Sequence, residues 1–167
     1  MAELINFAYG SNMLLARLRE RVPLAKPLGV AKLKGHTLKW HKVAKDGSGK
    51  CDIVTLDDQN QSVLGVLYEI PEEQKPELDR AEGLGHGYAE KTVVVEVGAL
   101  SLKASAYYAT NIRANLAPYT WYRALVVAGA VANKLPAEYI ELLRSTVASQ
   151  DSDSERHAKN MLLAGDA

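Results

Sequence analysis

The segment LINFAYGSNM, residues 4–13, passes from an apolar run into small and polar residues. The run is one strand long and stops at Gly10-Ser11-Asn12, which predicts a buried strand that enters a tight turn. Asn12 or Ser11 can cap a helix over residues 13–21, because their side chains accept hydrogen bonds from free backbone N–H groups. The turn is therefore either an ordinary capped strand-to-helix connection or an anion site built from exposed N–H donors.

Strand-like segments fill the first two thirds of the chain, and helical segments fill the last third. Further strands are predicted over residues 30–43 (two strands), 52–56, 63–70, 92–97 and 102–109. A helix is predicted from Pro71 to about Glu82, and the pattern is helical from Pro118 onward. The sequence therefore predicts an α+β fold in which a mixed sheet or small β-barrel is covered by helices.

Composition narrows the class of protein. The 167 residues are 47% hydrophobic and 24% charged, as expected for one globular domain over residues 1–167. A polar break near residues 150–154 is expected to precede a short tail helix. The net charge of zero argues against a nucleic-acid partner. No apolar run approaches the ~20 residues of a membrane span and no secretory signal is visible, so we expect a cytoplasmic protein without a membrane partner.

The zero net charge hides an asymmetry along the chain. Residues 17–50 hold ten basic and two acidic side chains, a net charge of +8. Residues 52–96 hold three basic and eleven acidic side chains, a net charge of −8. The two segments are either complementary or solvated faces, or the basic segment forms a patch that attracts an anionic ligand.

A carboxylate and three glycines mark the end of the predicted helix over residues 71–82. The sequence there is LDRAEGLGHGY, residues 78–88, so Glu82 lies in the last helical turn. The negative end of a helix dipole disfavours an acid at this position. Glu82 is therefore either a general acid–base candidate or a surface residue paired with Arg80 or a lysine. The glycine spacing fits neither a phosphate loop nor a dinucleotide fingerprint.

The remaining candidates are an aromatic helix start, one cysteine and four histidines. In PYTWYRAL, residues 118–125, the aromatic residues either pack the core or place one hydroxyl, such as that of Tyr122, in a pocket. Cys51 has no nucleophile motif and is expected to be a half-buried structural thiol. Metal-ligand spacing is missing among His36, His41, His86 and His157.

Three motifs occur in a specific order. They are Tyr9-Gly10-Ser11-Asn12, then Glu82-Gly83 followed by Gly87-Tyr88, then Trp121-Tyr122 with Gly129-Ala130 and Leu135-Pro136. In this order they resemble the γ-glutamylcyclotransferase family, and the resemblance runs from about Ile5 to Leu143.

The resemblance implies a small β-barrel with flanking helices and a pocket at one end. It implies an enzyme of the acyltransferase or lyase type, in glutathione metabolism, that releases 5-oxoproline from a small γ-glutamyl substrate without cofactor or metal. A homodimer is a possible assembly. In the roles that the resemblance carries over, the catalytic acid–base is Glu82, and the substrate-binding residues are Tyr9, Gly10, Ser11, Asn12, Tyr88 and Tyr122.

The chemistry of such a reaction agrees with these residues. In a γ-glutamyl amide the α-amine is four bonds from the γ-carbonyl carbon, so its attack closes a five-membered ring. The nucleophile then belongs to the substrate, and the enzyme has only to move protons. One carboxylate can take a proton from the amine and return one to the leaving group.

Two alternatives remain open at this stage. The same fold could process a γ-glutamyl group on a larger carrier or a γ-glutamylamine. The chain could also be a non-catalytic module that binds a small anion through the turn, although an acid at Glu82 would repel that ligand. A second carboxylate on the substrate could be contacted by any of Arg17, Arg19, Arg21 and Lys42.

Overall fold

The fold is a closed five-stranded barrel with a two-stranded sheet beside it, and the computed structural model describes residues 2–165. In pairing order the barrel strands are β1 (Glu3–Ala8), β5 (Ser62–Pro71), β2 (Lys26–Lys34), β6 (Tyr88–Val97) and β7 (Leu100–Ala109). Neighbouring strands are antiparallel, and β7 meets β1 through a parallel bridge between Ser105 and Asn6. The other two strands, β3 (His36–Val43) and β4 (Gly49–Thr55), form an antiparallel hairpin. The predicted mixed barrel is confirmed.

Within residues 2–165, five α-helices flank the barrel. They are α1 (Leu15–Arg19), α2 (Lys75–Glu82), α3 (Thr120–Ala132), α4 (Ala137–Arg144) and α5 (Ser154–Ala164). In residues 2–165, none of these helices combines the length and the apolar character that a membrane crossing requires. The helix α3 packs against α4, α5 and the 3₁₀ turn Ser11–Met13, so it joins the C-terminal helices to the end of β1.

Close contact between α3 and the turn depends on Gly129. A Cβ at this position would lie 2.6 Å from both the Leu14 nitrogen and the Met13 Cβ. Two side chains hold the same turn from other directions: the Tyr68 hydroxyl donates to the Met13 carbonyl at 2.8 Å, and the Asn133 amide donates to it at 2.9 Å. The turn after β1 is therefore fixed by the barrel on one side and by α3 on the other.

The prediction of a capped helix over residues 13–21 is wrong. A 3₁₀ turn covers Ser11–Met13, and α1 covers only Leu15–Arg19 with Leu14 at its N-cap position. Neither Ser11 nor Asn12 makes a side-chain cap bond, because both lie inside the 3₁₀ turn and the α-helix begins only at Leu15. The turn is therefore not an ordinary capped connection.

Candidate active site

A small cavity lies at the end of the barrel where β1 leaves it. Seven of its lining residues are the ones that the sequence proposed for the site, and the structure brings all seven together. They are Tyr9, Gly10, Ser11, Asn12, Glu82, Tyr88 and Tyr122. The cavity is also lined by Asn6, Phe7, Ala8, Cys51 and Tyr107. We call this space the inner cavity.

The turn after β1 presents backbone donors to the inner cavity. The N–H groups of Gly10, Ser11 and Asn12 donate to no acceptor within residues 2–165, whereas the next two N–H groups close the 3₁₀ turn at 3.1 Å. Gly10, Ser11 and Asn12 are only partly buried, so a ligand or water can reach these donors and satisfy them. Grouped donors of this kind suit a carboxylate or a developing oxyanion.

Glu82 enters the inner cavity because α2 ends there. It is the last residue of α2, and Gly83 follows in the left-handed conformation (φ 73°), which turns the chain away from the helix axis. The half-buried Glu82 carboxylate accepts a hydrogen bond from the Asn12 Nδ2 atom. The Asn12 Oδ1 atom is buried and has no partner within the described residues. Donors for an anion and acceptors for a cation therefore share one cavity.

The three predicted tyrosines line the inner cavity, but their hydroxyl groups differ. Tyr9 donates to the Tyr107 carbonyl and Tyr88 to the Cys51 carbonyl, both at 2.6 Å. The Tyr122 hydroxyl accepts the Cys51 N–H at 3.2 Å, so its own proton has only the Cys51 thiol beside it, a weak acceptor. Burial raises the pKa of all three phenols, so they are neutral donors at physiological pH. Tyr122 is the one with a proton to offer a ligand.

The Cys51 thiol lines the cavity without being suited to attack a substrate. Its side chain is 1% exposed, which is more buried than the sequence indicated. Burial raises the pKa of this thiol far above its ordinary value, so the reactive thiolate is not available near neutral pH. Cys51 is a packing residue, and its backbone groups hold the two tyrosines Tyr88 and Tyr122. No trio of His, Cys, Asp or Glu side chains in residues 2–165 is arranged to hold a metal ion.

Besides Cys51, which the sequence identified only as a structural thiol, sequence reasoning missed four lining residues of the inner cavity. Asn6, Phe7 and Ala8 lie on β1 just before the turn, and the predicted strand could have indicated their proximity. Tyr107 comes from β7, and its place depends on barrel closure rather than on any local motif. Its hydroxyl donates to Asp79 of α2 at 2.5 Å, which ties the helix that carries Glu82 to the barrel.

A cavity that combines backbone donors, one carboxylate and neutral phenols has the groups that acid–base chemistry on a small zwitterionic molecule requires. Over residues 62–143 the chain matches the model of the AIG2-like family. The γ-glutamylcyclotransferase of Bos taurus is 31% identical over 147 residues, which are 83% of this chain and 76% of that protein. The γ-glutamylcyclotransferase of Homo sapiens is 30% identical over 149 residues, with the same shares.

Solved structures agree with these relatives. The crystal structure of an uncharacterised Homo sapiens protein has a TM-score of 0.86 at 25% identity, covering 99% of this chain and 100% of that one. A γ-glutamyl cyclotransferase structure has a TM-score of 0.84 at 24% identity, covering 95% and 99%. The chain therefore belongs to the γ-glutamylcyclotransferase family, and it is an enzyme, as the sequence predicted.

Proposed function

We propose that the enzyme releases 5-oxoproline from γ-glutamyl compounds by attack of the substrate's own α-amine on its γ-carbonyl carbon. The observation that carries the proposal is the inner cavity, where three unpaired N–H donors and the Glu82 carboxylate line the same small space. A glutamyl group carries an α-carboxylate and an α-ammonium on one carbon, so it needs donors and acceptors side by side.

The glutamyl group has a natural orientation in this cavity. Its α-carboxylate accepts hydrogen bonds from the N–H groups of the turn at Gly10, Ser11 and Asn12. Its α-ammonium donates to the Asn12 Oδ1 atom and to Glu82, which satisfies the unpaired buried oxygen. The γ-carbonyl oxygen is then left for the Tyr122 hydroxyl, the cavity phenol whose proton no carbonyl holds.

The reaction needs one proton carrier. Glu82 takes a proton from the α-ammonium, and the amine nitrogen forms a bond to the γ-carbonyl carbon. Glu82 returns that proton to the leaving nitrogen, and the tetrahedral intermediate collapses as the bond from its carbon to that nitrogen breaks. Glu82 then removes the second proton from the ring nitrogen, which becomes the neutral lactam N–H, and passes it to the released amine, which leaves as an ammonium. Asn12 keeps the Glu82 carboxylate turned toward the cavity through its Nδ2 hydrogen bond. The products are 5-oxoproline and a free amine.

Non-catalytic anion binding is the alternative that the sequence left open. A carboxylate beside the donors would repel a simple anion, whereas it attracts the ammonium of a zwitterion. The contact between Glu82 and Asn12 therefore supports catalysis over binding alone.

Product identification tests the proposed function. Incubation of the protein with a γ-glutamyl dipeptide is expected to release 5-oxoproline and the second amino acid in equal amounts, measured by mass spectrometry. An N-acetylated γ-glutamyl dipeptide, whose α-nitrogen cannot attack, is the matched control and is expected to be stable. Release of glutamate, or turnover of the acetylated compound, would overturn the proposal.

A further inference from the structure

A second depression lies on the other side of Glu82. Its walls come from β3, β4, the loop between them, α2 and the segment after α2. The charged and titratable residues that line it are Lys42, Lys45, Asp46, Lys50, Arg80, Glu82, His86 and Arg156. We call this depression the outer groove. Glu82 lines both the outer groove and the inner cavity, so the two spaces meet at the proposed proton carrier.

The cations of the outer groove fall into two groups. Arg80 pairs with Glu77 at 2.5 Å, and Arg156 pairs with Asp151 at 2.5 Å. By contrast, Lys42, Lys45 and Lys50 make no ion pair within the described residues.

Two of the free lysines lie directly opposite each other. Lys42 on β3 and Lys50 on β4 are register partners of the hairpin, an arrangement in which like charges destabilise the strand pair. Lys42 is only 8% exposed, so its charge is also poorly hydrated. Burial is likewise the main cause that lowers the pKa of Lys50 to about 8. Two adjacent cations that lack both a partner and full hydration favour the binding of an anion between them.

Both ammonium groups are positioned by rings that line the inner cavity. The Lys42 Nζ atom lies 4.7 Å from the centroid of the Tyr88 ring, and the Lys50 Nζ atom lies 5.5 Å from the centroid of the Tyr122 ring. Tyr88 and Tyr122 therefore connect the two spaces: their rings line the inner cavity and also contact the lysines of the outer groove.

The path of the proton in the proposed reaction indicates a role for the outer groove. Glu82 must reach the α-amine and then the leaving nitrogen, so a glutamyl group in the inner cavity directs its leaving group past Glu82. We propose that the outer groove is the leaving-group subsite and that Lys42 and Lys50 bind carboxylates there. Three unpaired lysines against Asp46 and Glu82 leave one net positive charge, and Lys42 and Lys50 offer one ammonium group to each of two leaving-group carboxylates. This inference rests on the proposed function, and it makes γ-glutamyl conjugates of dicarboxylic amino acids the preferred substrates.

A series of nearly isosteric substrates tests the charge preference. The leaving groups are glutamate, glutamine and glutamine α-amide, which carry two, one and no carboxylates. We expect kcat/KM for 5-oxoproline release to fall roughly tenfold with each carboxylate removed, mainly through KM. Equal kcat/KM values across the series would overturn the subsite while leaving the proposed function intact.

Lysine variants test the residues themselves. Lys42→Met and Lys50→Met are each expected to raise KM for γ-glutamyl-glutamate about tenfold and to leave KM for the α-amide substrate within twofold. Lys50→Arg, which keeps the charge, is expected to retain most of the preference. Lys39→Met, at an exposed position of the same strand and outside the groove, is the matched control. A uniform loss of kcat for all three substrates would overturn the assignment, because it would indicate a structural role.

Binding measurements separate this inference from the proposed function. Calorimetry on the Glu82→Gln variant needs no turnover, and γ-glutamyl-glutamate is expected to bind more tightly than γ-glutamyl-glutamine. Adding Lys50→Met to that variant is expected to remove the difference. If neither substrate yields 5-oxoproline with the unmodified enzyme but the lysine-dependent binding difference persists, the proposed function fails while the anion subsite stands. Equal binding of the two substrates would overturn the subsite.

Discussion

Two carboxylates, Asp151 and Glu82, show how differently this fold uses the same chemical group. Asp151, between α4 and α5, has a fully buried side chain and accepts four hydrogen bonds. The donors are the Trp121 ring nitrogen at 2.8 Å, the Asp153 N–H at 2.9 Å, and the Nε and Nη2 atoms of Arg156 at 2.5 and 2.7 Å. Glu82 is half-buried and has one donor, Asn12.

The number of hydrogen-bond donors distinguishes a carboxylate that stabilises the fold from one that is available for proton transfer. Hydrogen bonds from Arg156 hold the pKa of Asp151 well below its ordinary range, so this group stays ionised and joins α3 to α5. A carboxylate whose lone pairs are all occupied has no room for a proton. Glu82 keeps most of its lone pairs free toward the two spaces that it lines, which is what a proton carrier needs.

The largest expected effect follows from changing Glu82, the carboxylate that carries the proton in the proposed reaction. Glu82→Gln keeps the size of the side chain and removes its ability to carry a proton. We expect 5-oxoproline release to fall by about 10²–10⁴-fold while the melting temperature changes little. Glu73→Gln, at an exposed position just before α2, is the control and should retain full activity. A rate within threefold of the unmodified enzyme for Glu82→Gln would contradict the assignment.

The next effect concerns the single donor of Glu82. Asn12→Ala removes the Nδ2 hydrogen bond and the buried Oδ1 atom, so both the carboxylate and the substrate ammonium lose a contact. We expect kcat to fall by roughly 10–100-fold and the pH–rate profile to move, a change that a purely structural role would not produce. The matched control is Asn60→Ala on the exposed loop before β5. An unchanged pH–rate profile would argue against a role for Asn12 in positioning Glu82.

The smallest effect on activity is expected at the structural carboxylate. Asp151→Asn leaves Arg156 only the exposed Asp153, 4.0 Å away, as an anionic partner, so the melting temperature should fall by about 10 °C while kcat at 15 °C stays within twofold. The folded pKa of Asp151 is lowered, so its contribution to stability is present above the unfolded pKa of about 3.9 and is lost as the pH falls through the folded value.

Acid unfolding monitored by circular dichroism checks the sign of this contribution. The stability difference between the unmodified protein and Asp151→Asn should be full at pH 6 and shrink below pH 4. A difference that is unchanged down to pH 2 would contradict the account of Asp151.

Local motifs and the family resemblance together were sufficient to predict the small barrel and seven of the twelve residues that line the inner cavity. The turn at residues 9–12 follows directly from the end of β1, and Glu82 follows from the helix stop at Gly83. What the sequence could not predict is the contact between Asn12 and Glu82, since the two residues are 70 positions apart and meet only when the barrel closes.

The residues of the outer groove could not be predicted from the sequence for a similar reason. Lys42 was one of four basic candidates for a second substrate carboxylate, and no local signal distinguished it from the arginines. Arg17 forms an ion pair with Glu20 and a hydrogen bond with Asn160. Lys42, by contrast, lies opposite Lys50 in the register of β3 and β4. Strand register depends on long-range pairing, so which lysines share a surface cannot be read from spacing alone.

The origin of the lactam carbonyl oxygen in the product tests the central claim most directly. The account makes the substrate's α-amine the nucleophile and excludes water from the carbon that is attacked. Turnover of a γ-glutamyl dipeptide in water enriched in ¹⁸O, followed by mass spectrometry, is therefore predicted to yield 5-oxoproline without ¹⁸O. Release of ¹⁸O-labelled glutamate, or of labelled 5-oxoproline, would show that water attacks the γ-carbonyl and would contradict the account.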